Sequence, residues 1–226
     1  LKNFGAAPLN IFDLRAAKLP AEGAVWLCNP CNPTGGFIPD GELDEIAARH
    51  PRTLFIVDEA YRDFIWTDEA LAPYRPRPNV VRLRSLTKTY NLCGARIGYI
   101  LADAEMTERL RRRQPSWSVS GLAQQAALFF LADATLLRRT KDYYAAEMPR
   151  LISAVNVAGF PTLPSCVNYF LAAVDDDEKF IRFLLERGIV VRHTRNFPGL
   201  DGRYVRIAAR TRPENDILLA AMEDYR

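Results

Sequence analysis

The sequence predicts an α/β fold, with a mostly parallel central sheet in residues 1–137 and a smaller α+β unit in residues 138–226. Three observations carry the prediction. Between Ala24 and Val57 an apolar run, a turn-rich loop, an amphipathic helix and a second apolar run follow one another, the order of a parallel strand–helix–strand unit. Each apolar run empties into a polar motif, N-P-C-N-P-T-G-G after Cys28 and D-E-A-Y after Val57, and parallel sheets hold their ligands at these carboxyl ends of strands. Beyond a change of composition at Gly159–Pro164, short strands and helices alternate to the end of the chain.

Taken in order, residues 1–22 hold an amphipathic piece (Ile11, Leu14, Leu19) and a Pro-containing connector. Ala24–Cys28 reads as a short buried strand. Asp40 is placed to cap a helix in which Leu43, Ile46 and Ala47 share one face. Thr53–Val57 is the next strand, and Val80, Val81 and Leu83 begin another that breaks into a small-polar turn at Ser85–Lys88. A loop through Gly94 and Arg96 leads to a strand at Ile97–Leu101. Helices are expected over Asp103–Arg113, Gly121–Leu131 and Leu136–Val157, the last leading out of the larger unit. The tail reads as strand Val167–Val174, helix Lys179–Arg187, strand Ile189–His193, strand Tyr204–Ala209 and a closing helix from Pro213.

About half of the 226 residues are apolar, so a sizeable core is possible. A formal charge of +3, spread along the chain, gives no electrostatic reason to expect nucleic acid as a partner. No apolar run reaches the length of a membrane span and no signal peptide is visible, so no membrane partner is expected. Four scattered cysteines (Cys28, Cys31, Cys93, Cys166) do not make a disulfide scaffold and point to a reducing, cytoplasmic setting. Cys28-x-x-Cys31 alone is compatible with a redox pair or half a zinc site. It lacks a second pair to complete four ligands, so no metal is expected. The start at Leu1, without Met, suggests a fragment.

The chemistry concentrates in residues 81–100. A turn at the end of a strand holds the amine of Lys88, with hydroxyls before it and the Arg96 guanidinium after it; a partly desolvated amine among cations is the kind that forms a Schiff base. Ser85 and Arg96 are candidates to hold a phosphate beside it. Asp58, at the end of an apolar strand, needs a cation or strong donor if it is buried, although a strand-end Asp is often just a cap. Asn32 lies in a loop whose Asn, Pro and Gly residues are ordinary turn formers. In the tail, Arg206 and Arg210 stand among a surplus of cations that includes Arg192, His193, Arg195, Arg203 and Arg212.

Taken together, N-P-C-N-P-T-G, D-E-A-Y and S-L-T-K followed by G-A-R-I-G-Y resemble the signatures of the fold-type-I pyridoxal-phosphate enzymes, the aspartate aminotransferase superfamily. The resemblance implies that fold, with pyridoxal 5′-phosphate bonded to Lys88 and held by Asn32, Asp58, Tyr61, Ser85 and Arg96. It implies Asn168 and Arg206 at the α-carboxylate of a small amino-acid substrate, with Arg210 added for a second anion such as a phosphate. It also implies a homodimer. Within the superfamily the tail is most similar to the threonine-phosphate decarboxylases, which make aminopropanol phosphate for cobalamin. Histidinol-phosphate aminotransferases come next, and a non-catalytic aminotransferase-like module is the reading from another class. The resemblance further implies a domain's worth of preceding sequence, carrying part of the phosphate site and the ring stacked on the cofactor.

Overall fold

The computed structural model describes residues 14, 17–67, 71 and 73–225. Of the amphipathic piece expected near the start, Ile11 lies outside the described residues, while Leu14 and Leu19 pack on the first core.

The first sheet contains β1 (Gly23–Cys28), β2 (Thr53–Asp58), β3 (Val80–Ser85) and β4 (Gly98–Leu101), in that order. The first three run parallel and β4 joins antiparallel, so the sheet is mixed with a parallel majority. Between β1 and β2 runs α1 (Asp40–Arg49), whose Leu43, Ile46 and Ala47 bury against Val25, Leu27, Phe55, Val57 and Val80. The Asn79 amide closes the far end of α1, donating to the carbonyls of Ala47, His50 and Thr53 at 2.9–3.1 Å. Gly98 is needed where β4 meets β3, because a Cβ there would stand 2.4 Å from the Arg84 carbonyl oxygen.

After β3 comes α2 (Leu86–Thr89), then α3 (Ala104–Arg111), α4 (Gly121–Leu131) and α5 (Ala134–Val157). The second sheet is antiparallel, in the order β5 (Tyr169–Ala173), β7 (Tyr204–Ala208), β6 (Arg192–His193). It packs with α5, α6 (Asp177–Leu185) and α7 (Arg212–Asp224) around Met148, Leu151, Phe170, Phe180, Leu184 and Val205. α5 runs unbroken through residues 137 and 138.

Four local expectations change. The turn at Ser85–Lys88 is a short helix, because the Ser85 hydroxyl accepts from the Thr87 N–H and caps it. Asp40 does not cap α1; Pro39 takes that position, and the Asp40 carboxylate turns inward to Arg62 and Arg82. Only Arg192 and His193 of the expected strand 189–193 pair with β7, while Ile189 and Val191 pack on the core outside the ladder. The strand expected from Val167 begins at Tyr169.

Candidate active site

The site is built where β1, β2 and β3 end. Asn29 shapes the first loop, its buried amide donating to the Ile38 carbonyl and accepting from the Ile38 N–H, both at 2.8 Å. This fixes both ends of the turn that displays Asn32. Gly35 closes it with φ +78°, where a Cβ would stand 2.0 Å from Ser165 Oγ. The Gly35 carbonyl accepts from the Cys166 N–H at 3.1 Å, so the loop is also fastened to the approach to β5.

That junction brings together residues far apart in sequence. Arg206 on β7 donates through Nη1 to Asn32 Oδ1. Arginine can only donate, so the Asn32 amide must present its oxygen there and keep its N–H₂ end for another acceptor. The Arg206 guanidinium lies 5.1 Å from the centre of the Tyr169 ring, and Tyr61 meets the same ring edge-on at 4.8 Å. Tyr169 is buried, and its hydroxyl donates to the Cys31 carbonyl at 3.0 Å. Burial, with the neighbouring Tyr61 adding to it, pushes this phenol far up, so it stays neutral and donates. Two buried polar atoms here have no hydrogen-bond partner, Arg206 Nε and Asn168 Oδ1.

Asp58 ends β2 in register with Cys28 of β1 and Leu83 of β3. One carboxylate oxygen accepts from the Ala60 N–H at 3.0 Å. Burial and the adjacent Asp58 charge push the Cys28 thiol up to about 11, which disfavours the thiolate that a metal or disulfide exchange would use. Ser85 is two residues past Leu83 on β3, and Lys88 follows within α2. Asn32, Asp58, Ser85 and Lys88 therefore leave the same edge of the parallel strands.

Two expected environments differ. Lys88 is exposed rather than partly desolvated; of the four residues of α2, Leu86 is the one that is buried. Arg210 is exposed, and its guanidinium is engaged by Glu214, which accepts from Nε at 2.8 Å, rather than standing free. Arg96 is also exposed, with φ +53°, and donates to the Cys93 carbonyl at 3.0 Å. Sequence reasoning passed over Tyr169, although it adjoins Asn168, because an aromatic in an apolar strand reads as core. It passed over Glu59 and Arg84 as well. Glu59 is wholly buried and accepts from Arg82 and Arg84 directly behind Asp58.

Residues 11–222 match the family model for aminotransferase class I and II. The chain belongs to that family. Family members similar to it include the threonine-phosphate decarboxylase of Salmonella typhimurium, 35% identical over 92% of this chain and 59% of the relative. Histidinol-phosphate aminotransferase 2 of Ralstonia nicotianae is 34% identical over 93% of this chain and 58% of the relative. Among solved structures, L-threonine-O-3-phosphate decarboxylase from Porphyromonas gingivalis superposes with a TM-score of 0.81 at 30% identity, covering 90% of this chain and 64% of the other. A histidinol-phosphate aminotransferase from Sinorhizobium meliloti, in complex with pyridoxal-5′-phosphate, superposes with a TM-score of 0.76 at 30% identity, covering 89% of this chain and 56% of the other. The chain thus spans somewhat over half the length of these aminotransferase-family relatives. Membership makes this an α/β chain of the fold-type-I class, with pyridoxal phosphate as the cofactor of its family. Among the described residues, no helix is long and apolar enough to cross a membrane.

The donor set fits that cofactor. A strand-end carboxylate, Asp58, suits a pyridinium N–H, and the N–H₂ end of Asn32 and the Tyr61 hydroxyl suit a phenolic oxygen. The unpartnered Asn168 Oδ1 and Arg206 Nε are polar atoms of the kind a bound ligand completes.

Proposed function

We propose that this chain forms part of a pyridoxal-phosphate enzyme that decarboxylates L-threonine O-3-phosphate to (R)-1-amino-2-propanol phosphate. The observation carrying the reading is the Asn32–Arg206 hydrogen bond, which joins a candidate cofactor residue to a candidate carboxylate-binding residue while Arg206 Nε stays unpartnered. When bound, the cofactor supplies an electron sink for the pair left on the substrate's Cα. The rest falls to side chains. Asp58 keeps the ring nitrogen protonated, and Asn32 and Tyr61 hydrogen-bond the phenolic oxygen. Ser85 and Arg96 hold the cofactor phosphate, and Lys88 carries the amine that accepts or returns a proton at Cα. Arg206 and Asn168 grip the α-carboxylate, and the angle at which they hold it selects which bond to Cα breaks.

A histidinol-phosphate-type aminotransferase is the second reading, favoured by relatives of similar identity, 34% against 35%, that carry that name. To separate the two, the full-length protein is given threonine phosphate. Release of CO₂ without any keto acid is expected, whereas amino transfer that depends on a keto acid would replace the decarboxylase with the aminotransferase. A non-catalytic module is tested by colour: visible absorbance is expected in the purified full-length protein and is lost in Lys88→Ala. A homodimer belongs to the same reading, and sedimentation of that protein at two protomer masses rather than one is expected.

A further inference from the structure

Four polar side chains outside the proposed contacts form a continuous chain behind the site. Buried Glu59 accepts from Arg84 Nε. Arg84 Nη1 reaches Asp63 Oδ1 at 3.8 Å, and Asp63 Oδ2 accepts from the Thr89 hydroxyl at 2.9 Å. Each link stands next to a candidate cofactor residue: Glu59 follows Asp58, Asp63 is two residues past Tyr61, Arg84 precedes Ser85, and Thr89 follows Lys88. The chain ties together the ends of β2 and β3, the 3-10 turn at Arg62–Phe64, and α2.

α2 needs such a tether. It has four residues, too few to hold their own conformation, and its one buried side chain is Leu86. The Lys88 side chain is exposed, and its amine makes no hydrogen bond or ion pair with another described residue, although its carbonyl accepts from the Asn91 N–H at 3.4 Å. Thr89 is β-branched, so its hydroxyl is held by a stiff side chain and transmits the position of Asp63 to the backbone of its neighbour. Asp63 is in turn held by Arg84, whose own position is set by the buried carboxylate of Glu59.

We propose that Asp63 and Thr89 are positioning residues for Lys88, setting its amine at a fixed distance from Tyr61 and Asp58. This rests on the reading of Lys88 as the residue that bonds the cofactor. Poor placement of a reacting amine costs rate more than stability, because reaction depends on a narrow range of approach.

The test uses the full-length protein stripped of cofactor, then mixed with pyridoxal 5′-phosphate while visible absorbance is followed, with Lys88→Ala as the blank. Thr89→Val keeps the branched shape and removes the hydroxyl; Thr89→Ser restores it. The expected result is absorbance that develops about tenfold more slowly in Thr89→Val and within about twofold of wild type in Thr89→Ser. Asp63→Ala should repeat the defect, and Asp63→Ala with Thr89→Val should be no slower than either alone, as for two ends of one interaction. In the cofactor-free protein, amide exchange at residues 86–91 should quicken in Thr89→Val while that of α6 and α7 stays unchanged. Wild-type capture and exchange in Thr89→Val would overturn the positioning role, as would a defect that Thr89→Ser fails to repair. Absence of Lys88-dependent absorbance in the unsubstituted protein would overturn the cofactor reading itself, and the positioning role with it.

Discussion

The two sheets of this molecule are finished to different degrees. The antiparallel sheet is enclosed: the first four residues of β5 are buried, and α5, α6 and α7 close over Phe170, Phe180 and Met222. The parallel sheet is covered by α1 on one face and open on the other. Along β1, Val25 and Leu27 are buried while Trp26 between them is 56% exposed. Leu122 and Phe129 of α4, at 86% and 75% exposed, extend this open apolar character. The candidate cofactor residues belong mostly to the open half, and the closed half supplies Asn168, Arg206 and the anchor for the Asn32 loop. Rigidity is therefore delivered to the site from the enclosed side.

Substitutions can break or sharpen that contrast. The largest effect is expected from Phe170→Ala, which leaves a cavity in the closed core and should cost about 3–5 kcal/mol in denaturant unfolding of this chain. Trp26→Ala on the open face should stay within about 0.5 kcal/mol. Equal losses at the two positions would remove the distinction. Next comes the junction between the halves. Gly35→Ala meets Ser165 and also has φ +78°, so about 1–3 kcal/mol is expected. Its signature is faster amide exchange at both Gly36 and Cys166; a loss confined to one side would show that the halves are not joined there.

The smallest effect is a pH dependence inside the closed half. Hydrogen bonds from Arg150, helped by Asn215, hold the Glu147 carboxyl below its ordinary value of 4.5. A depressed folded value means that this contribution is complete above about pH 4.5 and disappears as acid protonates the folded form. Melting temperature against pH should therefore fall less steeply below 4.5 in Glu147→Gln than in wild type. An unchanged acid limb would remove Glu147 from the account.

Much of this architecture was legible because apolar periodicity and turn residues agree. Leu43, Ile46 and Ala47 share a face in the sequence and lie together in the core, and each of the first two strands ends at the motif expected there. What was not legible depends on partners that the local sequence does not display. α2 was invisible because four residues carry no helical period, and its start is set by a hydroxyl that reads equally well as a turn. Asp40 looked like an ordinary cap because Arg62 and Arg82, which draw it inward, are 22 and 42 positions away. Arg82 and Arg84 alternate along β3 in the manner of solvated residues, yet both run into Glu59. Arg210 looked like one more free cation because nothing in composition announces the Glu214 that occupies it.

The bond between Asn32 and Arg206 spans 174 positions. A ribosome delivers the first of these residues long before the second, and the fastening at Cys166 is likewise made late. The nascent chain must therefore carry this motif loop without its lock while the next 174 residues are made. A polypeptide stopped between residues 170 and 205 would possess β1 to β4 and still leave that loop unlatched at Asn32.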